Sequence, residues 1–133
     1  MSIKYLSTRD ASVRFTPAQA IVSGLAPGGG LFVPERIPTF APGALEALIG
    51  LDYPSRAARV LAPWLTGFPE EALETMCRAA YARFDSAAVA PVVALENGLY
   101  MLELWHGPTL AFKDMALQLM PHLLAASARQ TGE

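Results

Sequence analysis

The stretch ELWHGPTLAFKD, residues 103–114, holds the side chains most able to do chemistry. Gly107 and Pro108 interrupt the chain, and Lys113 follows where a helix is predicted to begin. The only other lysine is Lys4. The positive end of a helix dipole and partial burial would both disfavour an ammonium group at this position. A neutral lysine amine is what Schiff-base chemistry requires, so Lys113 is a candidate nucleophile, with an ordinary exposed lysine as the alternative.

Three polar residues accompany Lys113. His106 lies in the loop before the predicted helix, where it would contact substrate, orient the loop or satisfy a backbone carbonyl. Thr109 would cap the helix or contact an anionic group at its amino terminus, and capping is the simpler interpretation. Asp114 suits a first helical turn, and its charge would also pair with Lys113 and favour the ammonium form. The sequence leaves these alternatives open.

Residues 106–114 resemble the segment that carries the cofactor lysine in threonine synthases, which use pyridoxal 5'-phosphate (PLP). Two more segments agree in the same order, residues 5–9 (YLSTR) and residues 24–34, which contain GLAP and GGLFVP. The chain departs from the usual family pattern at Gly28, at Trp105 and at Asp10, where the family usually has Gly. A Gly at that position would suit a positive φ, which Asp tolerates less well.

This resemblance implies specific roles around Lys113. Lys113 would hold PLP as a Schiff base and then move protons as a base. Phe112 would lie near the cofactor ring, with core packing as the alternative. His106, Thr109 and Asp114 become candidate substrate-binding residues.

The resemblance also implies a reaction. A threonine synthase converts O-phospho-L-homoserine and water to L-threonine and phosphate. Two alternatives stay open: a threonine synthase-like phospho-lyase that makes no threonine, and a small module that binds a protein partner without chemistry of its own. A binding module would make Lys113 replaceable, whereas the synthase and the phospho-lyase both require a selectively reactive amine.

The implied fold is a helix-rich α/β unit with a small β-sheet, of the tryptophan-synthase-β-like (fold type II) PLP enzymes. Threonine synthases are several times longer, and no serine- and glycine-rich loop follows Lys113. We therefore expect the amino-terminal portion of such an enzyme, inactive alone, with residues 1–90 as a helical subdomain and 91–133 as a hairpin and cofactor-lysine helix that begin the PLP-binding domain. This portion would expose an apolar surface towards the remainder of its own chain and would self-associate.

Composition narrows the possible partners. The net charge is −2 and basic runs are lacking, which argues against nucleic acid. No apolar run is long enough for a membrane span, and the first residues lack the apolar core of a secretory signal. The single cysteine, Cys77, excludes an internal disulfide and fits a reducing cytoplasm. With only His106 and His122 beside it, no metal-ligand cluster is predicted.

The amino-terminal third predicts a strand, a helix and a loop. Residues 3–8 read as a strand, and TPAQ at 16–19 has the pattern of a capping box with proline in the first turn. Gly24 would end this helix, and Ala20, Ile21 and Leu25 would face the interior. The glycines at 28–30 lack the lysine and hydroxyl residue of a Walker A motif, so they predict a structural loop.

The remaining elements are a helix, a hairpin and a final helix. The helix at 69–84 has one apolar face, made of Leu73, Met76, Cys77, Ala80, Tyr81 and Phe84. Glu96-Asn97-Gly98 between the apolar runs 92–95 and 99–102 predicts a β-hairpin. A helix from about Leu110 to Ala128 would be kinked or broken by Pro121. Its expected apolar face comprises Ala116, Leu119, Met120, Leu123 and Leu124.

Overall fold

The computed structural model describes residues 2–133 and is built from short strands and α-helices. In chain order they are β1 (Tyr5–Ser7), α1 (Pro17–Ser23), β2 (Phe32–Pro34), α2 (Tyr53–Leu61), α3 (Glu70–Tyr81), β3 (Val92–Ala94), β4 (Tyr100–Leu102), α4 (Asp114–Leu117) and α5 (Met120–Thr131). Short 3-10 turns lie at Pro27–Gly29, Glu46–Leu48 and Glu96–Gly98. The predicted small sheet is two separate two-stranded antiparallel sheets, β1–β2 and β3–β4.

Strands β1 and β2 join two of the three segments that carry the family resemblance. Tyr5 pairs with Pro34, and Ser7 pairs with Phe32. Gly30 lies so close to β1 that a Cβ there would be 2.1 Å from the Ser7 hydroxyl oxygen. The glycine loop is therefore needed for close backbone approach, as its structural interpretation predicts.

Asp10 does not have the positive φ that a family glycine suggested. Its carboxylate instead accepts hydrogen bonds from the backbone N–H and the hydroxyl of Ser12, at 2.9 and 2.6 Å. These two bonds lower the pKa of Asp10. A short acidic side chain thus stabilises the turn that follows β1.

Helix α1 begins as its sequence predicts. The Thr16 hydroxyl accepts from the backbone N–H of Gln19, and the Gln19 side chain accepts from the N–H of Thr16. Gly24, with φ +68°, ends the helix. Ala20 is buried as expected, but the prediction for Leu25 is wrong, since its side chain is 63% exposed. The positive φ of Gly24 turns the chain so that Leu25 faces away from the core.

Helix α3 contributes the largest share of the core. Leu73, Cys77, Ala80 and Tyr81 are buried on the predicted face, with Met76 and Phe84 packed at its margin. Burial raises the pKa of the Cys77 thiol to about 11. A buried thiol that stays protonated supports packing rather than redox chemistry.

The last predicted helix is two helices, α4 and α5. The break that Pro121 predicted is confirmed, because Pro121 lies in the first turn of α5. The predicted start at Leu110 is wrong, since Leu110 has a positive φ of 56° and α4 begins only at Asp114. Leu119 and Leu123 are buried as predicted, whereas Ala116, Met120 and Leu124 are exposed. The break shifts the apolar face, so that Ala126 and Ser127 are buried instead.

The β3–β4 hairpin forms as predicted, with Asn97 and Gly98 both at positive φ in its turn. Every residue of both strands is exposed. Its two faces are therefore apolar surface that nothing within residues 2–133 covers.

Two further sequence expectations concern domains and membranes. The division at residue 90 stays a prediction, although α5 packs against α1 and the core draws residues from both sides of that boundary. Among the helices of residues 2–133, none has the length and apolar character needed to cross a membrane.

Candidate active site

Lys113 immediately precedes α4, with helical backbone angles of φ −61° and ψ −25°. Its carbonyl accepts from the backbone N–H of Leu117 at 2.8 Å, which ties its backbone into the helix. Its side chain is exposed, and within residues 2–133 its amine makes no hydrogen bond or ion pair. The burial considered from the sequence is therefore absent, and α4 is a single turn of four residues. What the structure offers is an accessible amine on a fixed backbone.

Asp114 points the opposite way, into the protein, and is 1% exposed. One carboxylate oxygen, Oδ2, accepts from the backbone N–H of Thr109 at 2.7 Å and from the Thr109 hydroxyl at 2.9 Å. The other, Oδ1, accepts from the Gln118 amide at 3.0 Å. Burial acts to raise the pKa of Asp114, but the hydrogen bonds from Thr109 and Gln118 outweigh it and the pKa is lowered. The acid is therefore ionised at neutral pH.

Gly107 packs directly against Asp114. A Cβ at residue 107 would lie 2.4 Å from the Asp114 Cβ and 2.5 Å from Oδ2, closer than side chains approach in folded proteins. The N–H of Leu110 also donates to the Gly107 carbonyl at 3.0 Å, closing a turn over residues 107–110. Gly107 is thus required by contact, which explains why glycine precedes Pro108.

His106 is held between two carboxylates. Its Nδ1 lies 2.6 Å from Asp85 Oδ1, and its Nε2 lies 2.7 Å from Glu103 Oε2. The hydrogen bonds to Glu103 and then Asp85 raise the pKa of His106. With an acid at each nitrogen, the ring donates from both sides as an imidazolium. Both nitrogens of His106 are therefore engaged within the protein.

The carboxyl end of α3 anchors the lysine segment on both sides. The Tyr81 hydroxyl donates to the carbonyl of Met115 in α4 at 3.0 Å. Four residues later, the backbone N–H of Asp85 donates to the carbonyl of His106 at 3.0 Å. Burial raises the pKa of Tyr81, which keeps its hydroxyl protonated as a donor. The core helix therefore fixes the chain before and after Lys113.

Apolar side chains beside Lys113 face outwards. Phe112 is 65% exposed and Leu110 is 70% exposed, so the interpretation of Phe112 as a core aromatic is wrong. Trp105 is also exposed and stacks on the His106 ring, with centroids 5.8 Å apart. The lysine amine thus lies in a segment whose neighbouring aromatic group is free to contact a ligand.

The structure brings His106, Thr109 and Asp114 together in the segment around Lys113, but two predicted contacts are absent. Thr109 does not cap a helix, because its hydroxyl donates to Asp114. No ion pair joins Asp114 and Lys113 among the described residues. Adjacent helical residues point in different directions, so a buried Asp114 requires Lys113 to point elsewhere.

Sequence reasoning missed the residues that support this segment. They are Tyr81, Asp85, Glu103 and Gln118. Tyr81 carried one usable signal, since a tyrosine hydroxyl on a buried helix face needs a partner. Asp85 carried none, because its contact with His106 depends on the tertiary path of the loop.

A sequence model of the family described as the threonine synthase N terminus matches residues 4–81, more than half of the chain. The chain belongs to this threonine synthase family. It is 40% identical over 140 residues to the threonine synthase of Methylobacillus glycogenes, covering 98% of this chain and 30% of that protein. It is also 40% identical over 132 residues to threonine synthase-like 1 of Mus musculus, covering 94% of this chain and 18% of that protein.

Solved threonine synthase structures share the fold. The crystal structure of PLP-bound threonine synthase from Brucella melitensis superposes with a TM-score of 0.92 at 41% identity, covering 99% of this chain and 29% of that one. Yeast threonine synthase gives a TM-score of 0.87 at 33% identity, covering 96% of this chain and 27% of that one. The helix-rich α/β fold expected for the family is thereby confirmed. The chain spans less than a third of the length of these threonine synthases.

Proposed function

We propose that the protein carrying these residues is a PLP-dependent threonine synthase, with Lys113 as the lysine that binds the cofactor. The reaction would convert O-phospho-L-homoserine and water to L-threonine and phosphate. The observation that carries the proposal is the Lys113 amine, exposed and without a partner among residues 2–133, on a backbone held by partly buried hydrogen bonds. These residues match the amino-terminal portion of longer relatives, so we expect the 133 residues alone to be inactive.

The described residues fit PLP through an amine and an aromatic ring. PLP, when bound, supplies an aldehyde that reacts with a primary amine and a ring that withdraws electrons. The accessible Lys113 amine suits the aldehyde, and the exposure of the Phe112 ring supports a contact between this ring and the cofactor. Once released to the substrate amine, the Lys113 Nζ would accept and return protons at neighbouring substrate carbons.

The roles of the neighbouring residues follow from their contacts. The sequence suggested that His106, Thr109 and Asp114 bind substrate. The His106 nitrogens are both engaged by carboxylates, and the Asp114 oxygens are engaged by Thr109 and Gln118. We propose that these side chains position the lysine segment, because groups whose polar atoms are engaged within the protein are poorly placed to bind substrate. Their contribution to the reaction would be geometric.

The proposed partners are the substrate and the remainder of the protein's own chain. The exposed apolar hairpin supports the remainder of the chain as a partner, because a large exposed apolar surface is typical of an interaction site. A cytoplasmic location is part of the same proposal and is supported by the single free thiol of Cys77.

A phospho-lyase activity is the second candidate. It stays open because the chain is 40% identical both to a threonine synthase and to a threonine synthase-like protein. Both activities release phosphate and both need Lys113. Only the synthase yields threonine in equal amount.

Measuring both products on the full-length protein separates these functions. With O-phospho-L-homoserine and PLP, the synthase predicts equimolar phosphate and threonine. Lys113→Ala should lower the rate of both by at least about 100-fold, because the amine acts directly in proton transfer. Lys4→Ala is the matched control and should leave both rates unchanged. Phosphate without threonine would identify the phospho-lyase, and full activity of Lys113→Ala would refute both.

A further inference from the structure

Asp114 is a buried charge that the proposed chemistry does not use. It is 1% exposed and forms no ion pair with any described residue. Burying a carboxylate costs free energy unless hydrogen bonds replace water, and a well-packed apolar residue avoids that cost. Three donors from Thr109 and Gln118 replace the water. Such a site indicates a function that needs those three bonds.

We propose that Asp114 is the positioning residue for Lys113, and that its carboxylate fixes the direction in which the lysine amine leaves the protein. This proposal rests on the proposed role of Lys113 as the cofactor lysine. It concerns the chain's own geometry and assigns Asp114 no contact with cofactor or substrate.

The first argument is that α4 is too short to hold itself. It has four residues, and one helical turn is unfavourable in isolation because few hydrogen bonds offset the ordered backbone. The orientation of α4 therefore depends on tertiary contacts. These contacts include the bonds from Thr109 to Asp114, the bond from Tyr81 to Met115 and the packing of Met115 against the core.

The second argument is that Asp114 fixes rotation about the helix axis. One oxygen is bound to Thr109, on the chain before the helix, and the other to Gln118, just after it. The bond to Thr109 ties the first residue of α4 to the loop before it, and this bond resists rotation of the turn. The bond to Gln118, the residue that ends α4, holds the carboxylate itself in place. Because Lys113 is the adjacent residue, its Cα–Cβ direction is fixed by the same bonds.

The third argument is that the cluster is built for a carboxylate. Thr109 directs an N–H and a hydroxyl at Oδ2, while Gln118 directs an amide N–H at Oδ1. An asparagine has one acceptor oxygen, so its NH₂ would face a donor on one side. Gly107 leaves no space for the side chain to rotate away, because its Cα packs against Asp114. The surrounding donors therefore favour a carboxylate at residue 114.

The test compares labelling of two lysines in the full-length protein. PLP followed by borohydride is the first probe, and it reports an amine held in the cofactor's geometry. Acetic anhydride is the second probe, and it reports only an accessible amine. Mass spectrometry of peptides from residues 1–133 gives the ratio of label on Lys113 to label on Lys4, which serves as internal reference.

Asp114→Asn should lower the PLP labelling ratio by about 10- to 100-fold, the loss expected from a misplacement near 1 Å. The acetic anhydride ratio should change less than about two-fold, because the amine stays exposed. Thr109→Val removes only the hydroxyl bond, so it should lower the PLP labelling ratio by less and again leave the acetic anhydride ratio nearly unchanged. This second variant keeps the test valid if Asp114→Asn does not fold. Circular dichroism at the labelling temperature verifies folding.

Asp52→Asn is the matched control. Asp52 caps α2 through Ser55 and binds Arg78, so its substitution weakens the fold without removing a hydrogen bond of the lysine segment. It should leave both labelling ratios unchanged. Unchanged PLP ratios in folded Asp114→Asn and Thr109→Val would overturn the positioning role, as would equal falls with both probes. Failure of the proposed function would show separately, as wild-type protein whose Lys113 PLP labelling is no higher than that of Lys4.

Discussion

The hydrogen bonds of Asp114 depend on the absence of a side chain at Gly107. Gly107→Ala would insert a Cβ 2.4 Å from the Asp114 Cβ, and the helix backbone rather than a flexible chain end must move. We expect the free energy of unfolding to fall by about 1–3 kcal/mol, as in overpacked cores. Urea unfolding followed by circular dichroism measures it. A variant as stable as the wild type would show that residues 107 and 114 are farther apart than described.

His106 makes part of the stability depend on pH. Its pKa is raised in the folded protein by Glu103 and Asp85, so its contribution is fully present below the unfolded value of about 6.5. It is lost as pH rises through the higher folded pKa. The difference in unfolding free energy between wild type and His106→Gln should therefore be larger at about pH 6 than at about pH 9.

The control for this pH dependence is His122→Gln. His122 is exposed on α5, and its side chain makes no hydrogen bond or ion pair with any of residues 2–133. Its substitution should change the unfolding free energy little at either pH. A difference for His106→Gln that stays constant with pH would contradict the imidazolium bridge.

How far single residues were predictable depended on where their partners lie. Lys113 could be found because its segment is contiguous and its residue type is rare in the chain. Asp114 was found as a helix-start residue, but its burial was not, because burial depends on how residues 107–109 fold back. The bridge from His106 to Asp85 spans 21 residues and follows no local pattern.

Helix α4 is held by a core helix through one tyrosine. Tyr81→Phe keeps the ring in its edge contacts with Tyr53 and Phe84 but leaves the Met115 carbonyl without its donor. The expected loss is about 1–2 kcal/mol of unfolding free energy, and PLP labelling of Lys113 should fall with it. Tyr53→Phe is the matched control, since its hydroxyl makes no hydrogen bond with described residues. Equal effects of the two substitutions would rule out this anchoring role.

Elements stabilised by local contacts were predicted well. The capping box of α1, the apolar face of α3 and the Asn-Gly hairpin each rest on residues within a few positions of one another. The predicted start of the last helix at Leu110 was wrong because Leu110 adopts a positive φ. This backbone conformation is one that leucine does not favour. The predicted apolar face of α5 was partly wrong because the break between Leu117 and Met120 changes which residues face the core.

The molecule exposes apolar side chains on the β3–β4 hairpin. Val92, Leu99 and Tyr100 on the hairpin are each more than 60% exposed. We expect the 133-residue chain to self-associate through this surface, with sedimentation velocity showing mass rising with concentration. Val92→Lys with Leu99→Lys should keep it monomeric, whereas Ile49→Lys, at an 81% exposed position outside the hairpin, should not. A wild-type chain that stays monomeric at high concentration would contradict this prediction.

The most direct measurement is where PLP attaches in the full-length protein. Borohydride reduction in the presence of PLP, followed by mass spectrometry, reads Lys4 and Lys113 in one experiment. The proposed function predicts a stoichiometric adduct on Lys113 and little on Lys4, because Lys113 lies in the segment that resembles the cofactor-lysine segment of the family and Lys4 does not. Weak and equal labelling of both lysines in folded protein would contradict the assignment of Lys113 and favour a module without chemistry of its own.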